Sequence, residues 1–148
     1  MNRESVYEQL KIDEGVVNEI YHDHLGYPTF GVGHLVLESD PEHEKPLGTP
    51  VSEERVRECF EKDLDTAISE CEALYGGNVW GAFPGEVKEI LVNMMFNMGR
   101  TRLSKFKNMR SALDIGDWKL AAIEGRDSRW HKQVTNRAER LMVRLEKV

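Results

Sequence analysis

The sequence has no apolar run long enough to cross a bilayer. Its 148 residues are 40% hydrophobic and 31% charged, and no apolar stretch approaches the roughly 20 residues that a membrane-spanning helix needs. The first fifteen residues, MNRESVYEQLKIDEG, also lack the apolar centre of a secretory signal peptide. We therefore expect a globular protein that is made in a cytoplasm and does not insert stably into a membrane.

Cysteine is scarce as well. The only two, Cys59 and Cys71, fall in a segment with the periodicity of one helix, in which their Cα atoms would lie about 18 Å apart, too far for a disulfide. No C-x-x-C motif or nearby Cys/His spacing accompanies them. The sequence therefore predicts two reduced, buried thiols and no metal or redox site.

Positive charge is rare in the first hundred residues and abundant after them. Residues 1–100 carry a net charge of −12, whereas residues 101–148 carry +6. This basic stretch is either a set of solvated helix faces or a surface that contacts a polyanion. It has no recognisable nucleic-acid-binding motif and no interleaving of aromatic and basic residues, so we expect no nucleic-acid partner.

Helical periodicity dominates the chain after Ser52. Apolar residues at helical spacing predict a first short helix at 3–11, a long helix at about 52–75 that stops at Gly76-Gly77, and further helices around 87–98, 103–113, 117–124 and 138–145. We expect Gly99 and Gly125 to end two of these helices. Trp118 and Trp130 lie in apolar helical frames, which are more typical of core residues than of sugar-stacking ones.

Glycine, proline and β-prone residues concentrate in the stretch EGVVNEIYHDHLGYPTFGVGHL, residues 14–35. It predicts a hairpin with strands at 19–22 and 29–32, a turn at 26–28 and a short third strand at 34–37. Residues 38–50 then form a surface loop. Because Glu14 ends the first helix and Asp23 lies in the hairpin, we expect the two carboxylates to face a shared cleft, as glycoside hydrolysis requires, with the Thr29 hydroxyl nearby to hold a water.

The residue pattern closely resembles that of one enzyme family. The run Glu14-Gly15, the eight residues between Glu14 and Asp23, the five between Asp23 and Thr29, and the sequence GVGHL are similar to the catalytic signature of the phage-type lysozymes (endolysins), glycoside hydrolase family 24, in the T-even bacteriophage branch. The likeness continues in EKDLDTAI, NMMFNMG and SRWHKQVTNRAER, so that it covers nearly the whole chain. It is weaker across residues 36–52.

The resemblance implies a fold. It indicates an α+β, two-lobed lysozyme fold in which a small antiparallel sheet lobe is joined by a long helix to a mostly helical C-terminal lobe. We expect a single lysozyme domain over 1–148, with the sheet lobe at about 12–51, the connecting helix at about 52–75, and the helical lobe at about 84–148 together with the N-terminal helix.

The resemblance also implies residue roles. Glu14 would be the general acid, Asp23 the residue that positions or activates water, and Thr29 its helper. Arg137 would pair with Glu14, and His34 would form a structural salt bridge with Asp63. The positions implied for the saccharide-lining side chains are Leu35, Phe96 and Phe106.

The activity implied is hydrolysis, without metal or cofactor, of the β-1,4 bond between N-acetylmuramic acid and N-acetylglucosamine in bacterial peptidoglycan. The protein would be a monomeric endolysin that waits in the host cytoplasm and reaches the periplasmic wall once the inner membrane is permeabilised. The alternative is a lysozyme-like module that binds peptidoglycan without cutting it. A metal site at His22, Asp23 and His24 is disfavoured, because adjacent strand residues point to opposite faces.

Overall fold

The computed structural model describes all 148 residues, 64% of them helical, and has one three-stranded antiparallel sheet, which confirms the α+β class. The strands are β1 (Val17–His22), β2 (Pro28–Gly31) and β3 (His34–Leu35). The helices are α1 (Arg3–Glu14), α2 (Glu53–Tyr75), α3 (Gly77–Ala82), α4 (Gly85–Leu103), α5 (Lys107–Asp114), α6 (Trp118–Arg126), α7 (Arg129–Gln133) and α8 (Thr135–Glu146). None of the helices has the length and apolar character needed to span a membrane.

The chain divides into two compact units. One comprises Arg3–Thr66, and the other comprises Met1–Asn2 with Ala67–Val148. The first helix groups with the sheet in this division, whereas the sequence-based division placed it with the helical lobe. The organisation of the whole chain as one lysozyme domain stays a prediction.

The sheet unit is held together by short connections and by its own loop. Gly31 and Gly33 adopt positive φ values of 65° and 66°, which allow the tight reversal between β2 and β3. The segment predicted as a surface loop folds back along β1: the Gly48 N–H donates to the Ile20 carbonyl (2.8 Å) and the Ile20 N–H donates to the Thr49 carbonyl (3.0 Å). The sheet thus gains extra backbone pairing on the side of β1 away from β2.

The long helix α2 begins and ends where the sequence predicts. Ser52 precedes it, and its hydroxyl accepts a hydrogen bond from the Arg55 N–H at 3.1 Å, as an N-cap does. The helix stops at Tyr75, before Gly76, whose φ is 90°. Cys59 and Cys71 are both buried and free.

The helical unit buries the apolar stripes that predicted its helices. Helix α8 packs against α6, α4 and α7, and α5 packs against α6. The buried side chains at their contacts include Met94, Met109, Leu113, Leu141 and Leu145. A second cluster is aromatic, in which the Phe83 ring meets the rings of Tyr75, Trp80 and Trp118 at centroid distances of 5.8 to 6.1 Å.

Gly99 ends a stretch of regular helix as predicted, whereas Gly125 does not. Gly99 breaks the helical path within α4, with φ 79° and ψ 168°, and the chain resumes helical geometry as far as Leu103. Gly125 does not end α6, which continues to Arg126. It is buried, and a Cβ atom there would collide with the Met142 sulfur, so the absence of a side chain at this position allows α6 and α8 to pack closely.

Gly31 allows a test of how tightly the sheet packs. Gly31 and Gly26 both have positive φ, but a Cβ atom on Gly31 would lie 3.1 Å from Val56 Cγ1, whereas one on Gly26 would meet nothing within 4 Å. We expect Gly31→Ala to lower the free energy of unfolding by about 3 kcal/mol and Gly26→Ala by about 1 kcal/mol. Urea unfolding measures both, and equal losses would contradict the close packing against Val56.

Candidate active site

A row of three side chains crosses the sheet. Tyr21 on β1 is directly opposite Thr29 on β2, and Thr29 is opposite Leu35 on β3. Opposite residues of antiparallel strands project to the same face, so the three side chains share one face. Thr29 is buried, Tyr21 is half-buried and Leu35 is 49% exposed. The row brings the predicted helper threonine together with the predicted saccharide-lining leucine.

Asp23 follows β1 and is fixed by the turn that it begins. Its Oδ1 accepts hydrogen bonds from the backbone N–H groups of Leu25 and Tyr27, each at 2.9 Å. Its own N–H donates to the Tyr27 carbonyl, also at 2.9 Å. An aspartate whose side chain accepts a hydrogen bond from the backbone N–H two residues later is typical of a turn. One carboxylate oxygen is therefore engaged in holding the hairpin, which fixes the direction of the other.

Thr29 has a fixed hydroxyl. Its Oγ1 donates to the Tyr27 carbonyl at 2.9 Å. Because the single hydroxyl hydrogen is used in that bond, the oxygen faces any further partner as an acceptor. The backbone of Tyr27 thus orients both predicted residues. Its N–H donates a hydrogen bond to Asp23 Oδ1, and its carbonyl accepts one from the Thr29 hydroxyl.

Glu14 is the last residue of α1, and its carboxylate lies against the turn between β2 and β3. The Glu14 Oε2 atom is the nearest atom to the position that a Cβ would take on Gly33, at 3.5 Å. The pKa of Tyr21 is raised, first by burial and then by the negative charges of Asp23 and Glu14. Both carboxylates therefore act on the same phenol, and the site combines two acids with two hydroxyl groups.

His34 joins two aspartates. Its Nδ1 lies 2.7 Å from Asp63 Oδ2 and its Nε2 lies 2.8 Å from Asp40 Oδ2. A neutral imidazole has only one N–H, so both contacts are hydrogen bonds only when the ring is doubly protonated. Burial lowers the pKa of His34, but its bonds to Asp63 and Asp40 outweigh that effect and raise the pKa above its usual value.

Asp40, which the sequence did not single out, extends this network to α2. The Arg55 guanidinium donates to Asp40 Oδ1 at 3.1 Å and to Glu42 Oε1 at 2.9 Å. Burial raises the pKa of Asp40, but the Leu37 N–H and His34 lower it further, so the net shift is downward. The segment after β3 is thereby tied to the long helix by charged contacts.

The same cluster has the residue types of a metal site. Ligand atoms of His34, Asp40 and Cys59 all lie within 4.8 Å of one another. However, Asp40 Oδ2 already accepts from the Leu37 N–H at 2.8 Å, and Arg55 places a cation beside the same carboxylate. Burial also raises the pKa of the Cys59 thiol to about 11, which keeps it protonated. The contacts account for these side chains as an ion network, and we assign no metal there.

The remaining predicted residues lie in the helical unit. Arg137 on α8 donates to Asn93, to its Oδ1 at 2.9 Å and to its carbonyl at 3.3 Å, and the pairing of Arg137 with Glu14 stays a prediction. Phe96 on α4 is half-buried. Phe106 precedes α5 and meets Trp130 edge to face at 6.0 Å. The Trp130 indole is buried and donates to Asn97 Oδ1 at 2.7 Å, as a core tryptophan with a satisfied N–H does.

A cavity of about 690 Å³ opens beside Phe106 and Trp130. The residues that line it include Arg102, Arg129, Glu124 and Asp127, so it offers charges of both signs next to an aromatic wall. The Arg102 guanidinium is held by Gln133 Oε1 at 2.9 Å. Of these lining residues, the resemblance implied a saccharide-lining role for Phe106 alone, and the sequence indicated that Trp130 is a core residue.

Known proteins resemble this chain over nearly its full length. Residues 11–147 match the phage lysozyme family. The chain is 33% identical over 153 residues to the pre-baseplate central spike protein Gp5 of Enterobacteria phage T4, covering 93% of this chain but only 27% of that protein. It is 31% identical to the probable T4-type lysozyme 2 of Dictyostelium discoideum and 29% identical to the probable T4-type lysozyme 1, and it covers 91% and 94% of their lengths.

The bridged His34 predicts a pH dependence of stability. Because the pKa of His34 is raised on folding, its contribution is complete below its ordinary pKa of about 6.5 and is lost as pH rises through the folded-state value. We expect the stability difference between wild type and His34→Asn, measured by urea unfolding, to shrink as pH increases above 6.5. His24→Asn, at an exposed histidine, serves as the control. A difference that grows with pH would contradict the doubly protonated bridge.

Proposed function

Because the chain belongs to the phage lysozyme family, and is therefore a glycoside hydrolase of the lysozyme type that acts on peptidoglycan, we propose that it cleaves the β-1,4 bond between N-acetylmuramic acid and N-acetylglucosamine. The observation that supports this most directly is the arrangement of Glu14, Asp23 and Thr29 around one face of the small sheet. Two acids beside a polymer cleft are the equipment that glycoside hydrolysis needs.

The proposed roles divide the proton transfers between the two acids. Glu14 gives its proton to the leaving glycosidic oxygen as the bond from that oxygen to the anomeric carbon breaks. A water forms the new bond to the anomeric carbon and loses a proton to Asp23. Thr29 accepts a hydrogen bond from this water, since its own hydrogen is held by Tyr27. Protons and electron pairs balance, and no cofactor is consumed.

The cellular role that we propose is host cell lysis by an endolysin. The protein would accumulate in the host cytoplasm and act on the periplasmic wall after the inner membrane is permeabilised. The support for this role is the family alone, and relatives in the family serve more than one setting, as the phage T4 spike protein and the Dictyostelium lysozymes show. The role can be tested by producing the protein in cells whose inner membrane is either intact or permeabilised. The fall in turbidity of the two cultures then measures lysis.

Glu14→Gln tests the catalytic assignment. The amide keeps the shape of the side chain but has no proton to transfer, so we expect release of reducing ends from purified peptidoglycan to fall by at least a hundredfold. Glu8→Gln, at an exposed position on the same helix, removes the same charge and should retain activity. Near wild-type hydrolysis by Glu14→Gln would overturn the proposed mechanism. Wall binding without hydrolysis by the wild type would indicate a non-catalytic binding module.

The basic stretch at 101–148 predicts a salt response. Part of its charge is neutralised internally, because Arg126 pairs with Glu139 at 2.9 Å and with Glu146 at 2.8 Å, so Arg126 is a poor probe of docking. Lys132 is exposed on α7. If it contributes to attraction toward the anionic wall, Lys132→Glu should slow wall hydrolysis at about 0.05 M salt and match wild type at about 0.5 M, where charges are screened.

The matched control is Lys45→Glu, which makes the same charge change at an exposed lysine in the acidic part of the chain. We expect it to leave the salt response of wall hydrolysis close to that of the wild type. Equal effects of the two reversals, or a salt response of the same size on short uncharged oligosaccharides, would show that the basic stretch is only a solvated surface.

A further inference from the structure

Tyr21 shares one face of the sheet with Thr29, although no motif of the sequence indicated it. It is opposite Thr29 in the sheet, and Asp23 follows it by two residues, directly after the end of β1. The charges of Asp23 and Glu14 both act on its phenol. These are the two charged groups that influence the Tyr21 hydroxyl, one from the end of β1 and one from the end of α1.

The hydroxyl of Tyr21 differs from its neighbours in its hydrogen bonds. Thr29 donates its hydrogen to a carbonyl, and Asp23 Oδ1 accepts from two backbone N–H groups. The Tyr21 hydroxyl, by contrast, forms no hydrogen bond with another protein group, and its side chain is only half-buried. Because burial and the two anions raise its pKa, the phenol keeps its proton through neutral and mildly alkaline pH. It therefore has a hydrogen to donate on the face where the two acids lie.

We propose that Tyr21 is a positioning residue for the attacking water, to which its phenolic hydroxyl donates a hydrogen bond. The inference rests on the proposed function and deepens it. A water that accepts from Tyr21 and donates to Asp23 and to Thr29 Oγ1 has one lone pair left. That lone pair points at the anomeric carbon, so the three side chains select the orientation in which attack occurs.

Of the three side chains, the Tyr21 phenol is the one that can donate a hydrogen bond to the water. Asp23 is an acceptor and Thr29 presents an acceptor, so neither can hold the water by donating to its oxygen. Without Tyr21 the water could rotate within the site and present a hydrogen, instead of its lone pair, to the sugar. The tyrosine thus acts on the rate of the chemical step and leaves saccharide binding unchanged.

The experiment compares Tyr21→Phe with Tyr7→Phe on soluble peptidoglycan strands. Phenylalanine keeps the ring and removes the hydroxyl, so we expect kcat to fall roughly tenfold with KM unchanged, as for a hydrogen bond that matters in the transition state. Tyr7 is a half-buried tyrosine of α1 whose ring packs on Phe60, and Tyr7→Phe should retain wild-type kcat. Thermal unfolding midpoints that match the wild type confirm that both variants are folded.

Fluorination of the same side chain separates hydrogen bonding from packing, because packing of the ring alone would not change the pH dependence of kcat. Replacing Tyr21 with 3,5-difluorotyrosine keeps the hydroxyl but lowers its pKa, and a phenolate cannot donate. We expect kcat of this variant to decline at alkaline pH where the wild type does not. Wild-type kcat in Tyr21→Phe, or a fall in kcat that is matched by a rise in KM, would overturn the inference.

The two proposals fail in distinguishable ways. If the wild type hydrolyses the strands and Glu14→Gln does not, the proposed function holds and the Tyr21 variants decide the inference alone. If the wild type releases no reducing ends, or Glu14→Gln is as active as the wild type, the proposed function is wrong and the inference falls with it.

Discussion

The site depends on the register of one short sheet. Tyr21, Thr29 and Leu35 share a face only because β2 pairs with β1 and β3 as it does, and a slip of one residue would turn Thr29 to the opposite face. Three features fix that register: the turn that Asp23 closes, the positive φ of Gly31 and Gly33, and the packing of Gly31 against Val56. The chemistry and the hairpin therefore use the same carboxylate, since one oxygen of Asp23 holds the turn and thereby directs the other.

The His34 network supports this register from the third strand. His34 begins β3 next to Leu35, and its bond to Asp63 attaches the strand to α2. Asp40 and Arg55 extend the attachment to the segment that follows. Charged hydrogen bonds of this kind are stronger and more directional than apolar contacts, which suits a two-residue strand that has little area to bury. Removing one charged side chain would leave the charge of its partner half-buried and unpaired. We therefore expect the ion pairs of this network to stabilise the fold together.

Periodicity and spacing predicted much of this structure, and long-range packing explains the rest. Helix α2 has a cap, an apolar stripe and a glycine stop within 25 consecutive residues, so local rules sufficed. Gly125 looked like a helix stop, but its role depends on Met142, which local sequence does not reveal. The acids Glu14 and Asp23 were predicted from a motif, whereas Tyr21 emerges only from the strand register and Asp40 only from the fold of a non-periodic loop. Helices α3 and α7 are too short for a periodic signal.

The acids of the sheet unit serve two purposes, structure and chemistry. Burial raises the pKa of Tyr21, and the charges of Asp23 and Glu14 raise it further. Several acids of this unit pair with arginines: Glu61 is bonded to Arg3 and Arg57, and Asp40 and Glu42 are bonded to Arg55. The three arginines of this unit thus pair with acids that serve structure. Asp23, the base of the proposed mechanism, would favour a developing positive charge on the sugar, because attraction to an anion grows as the oxocarbenium character increases.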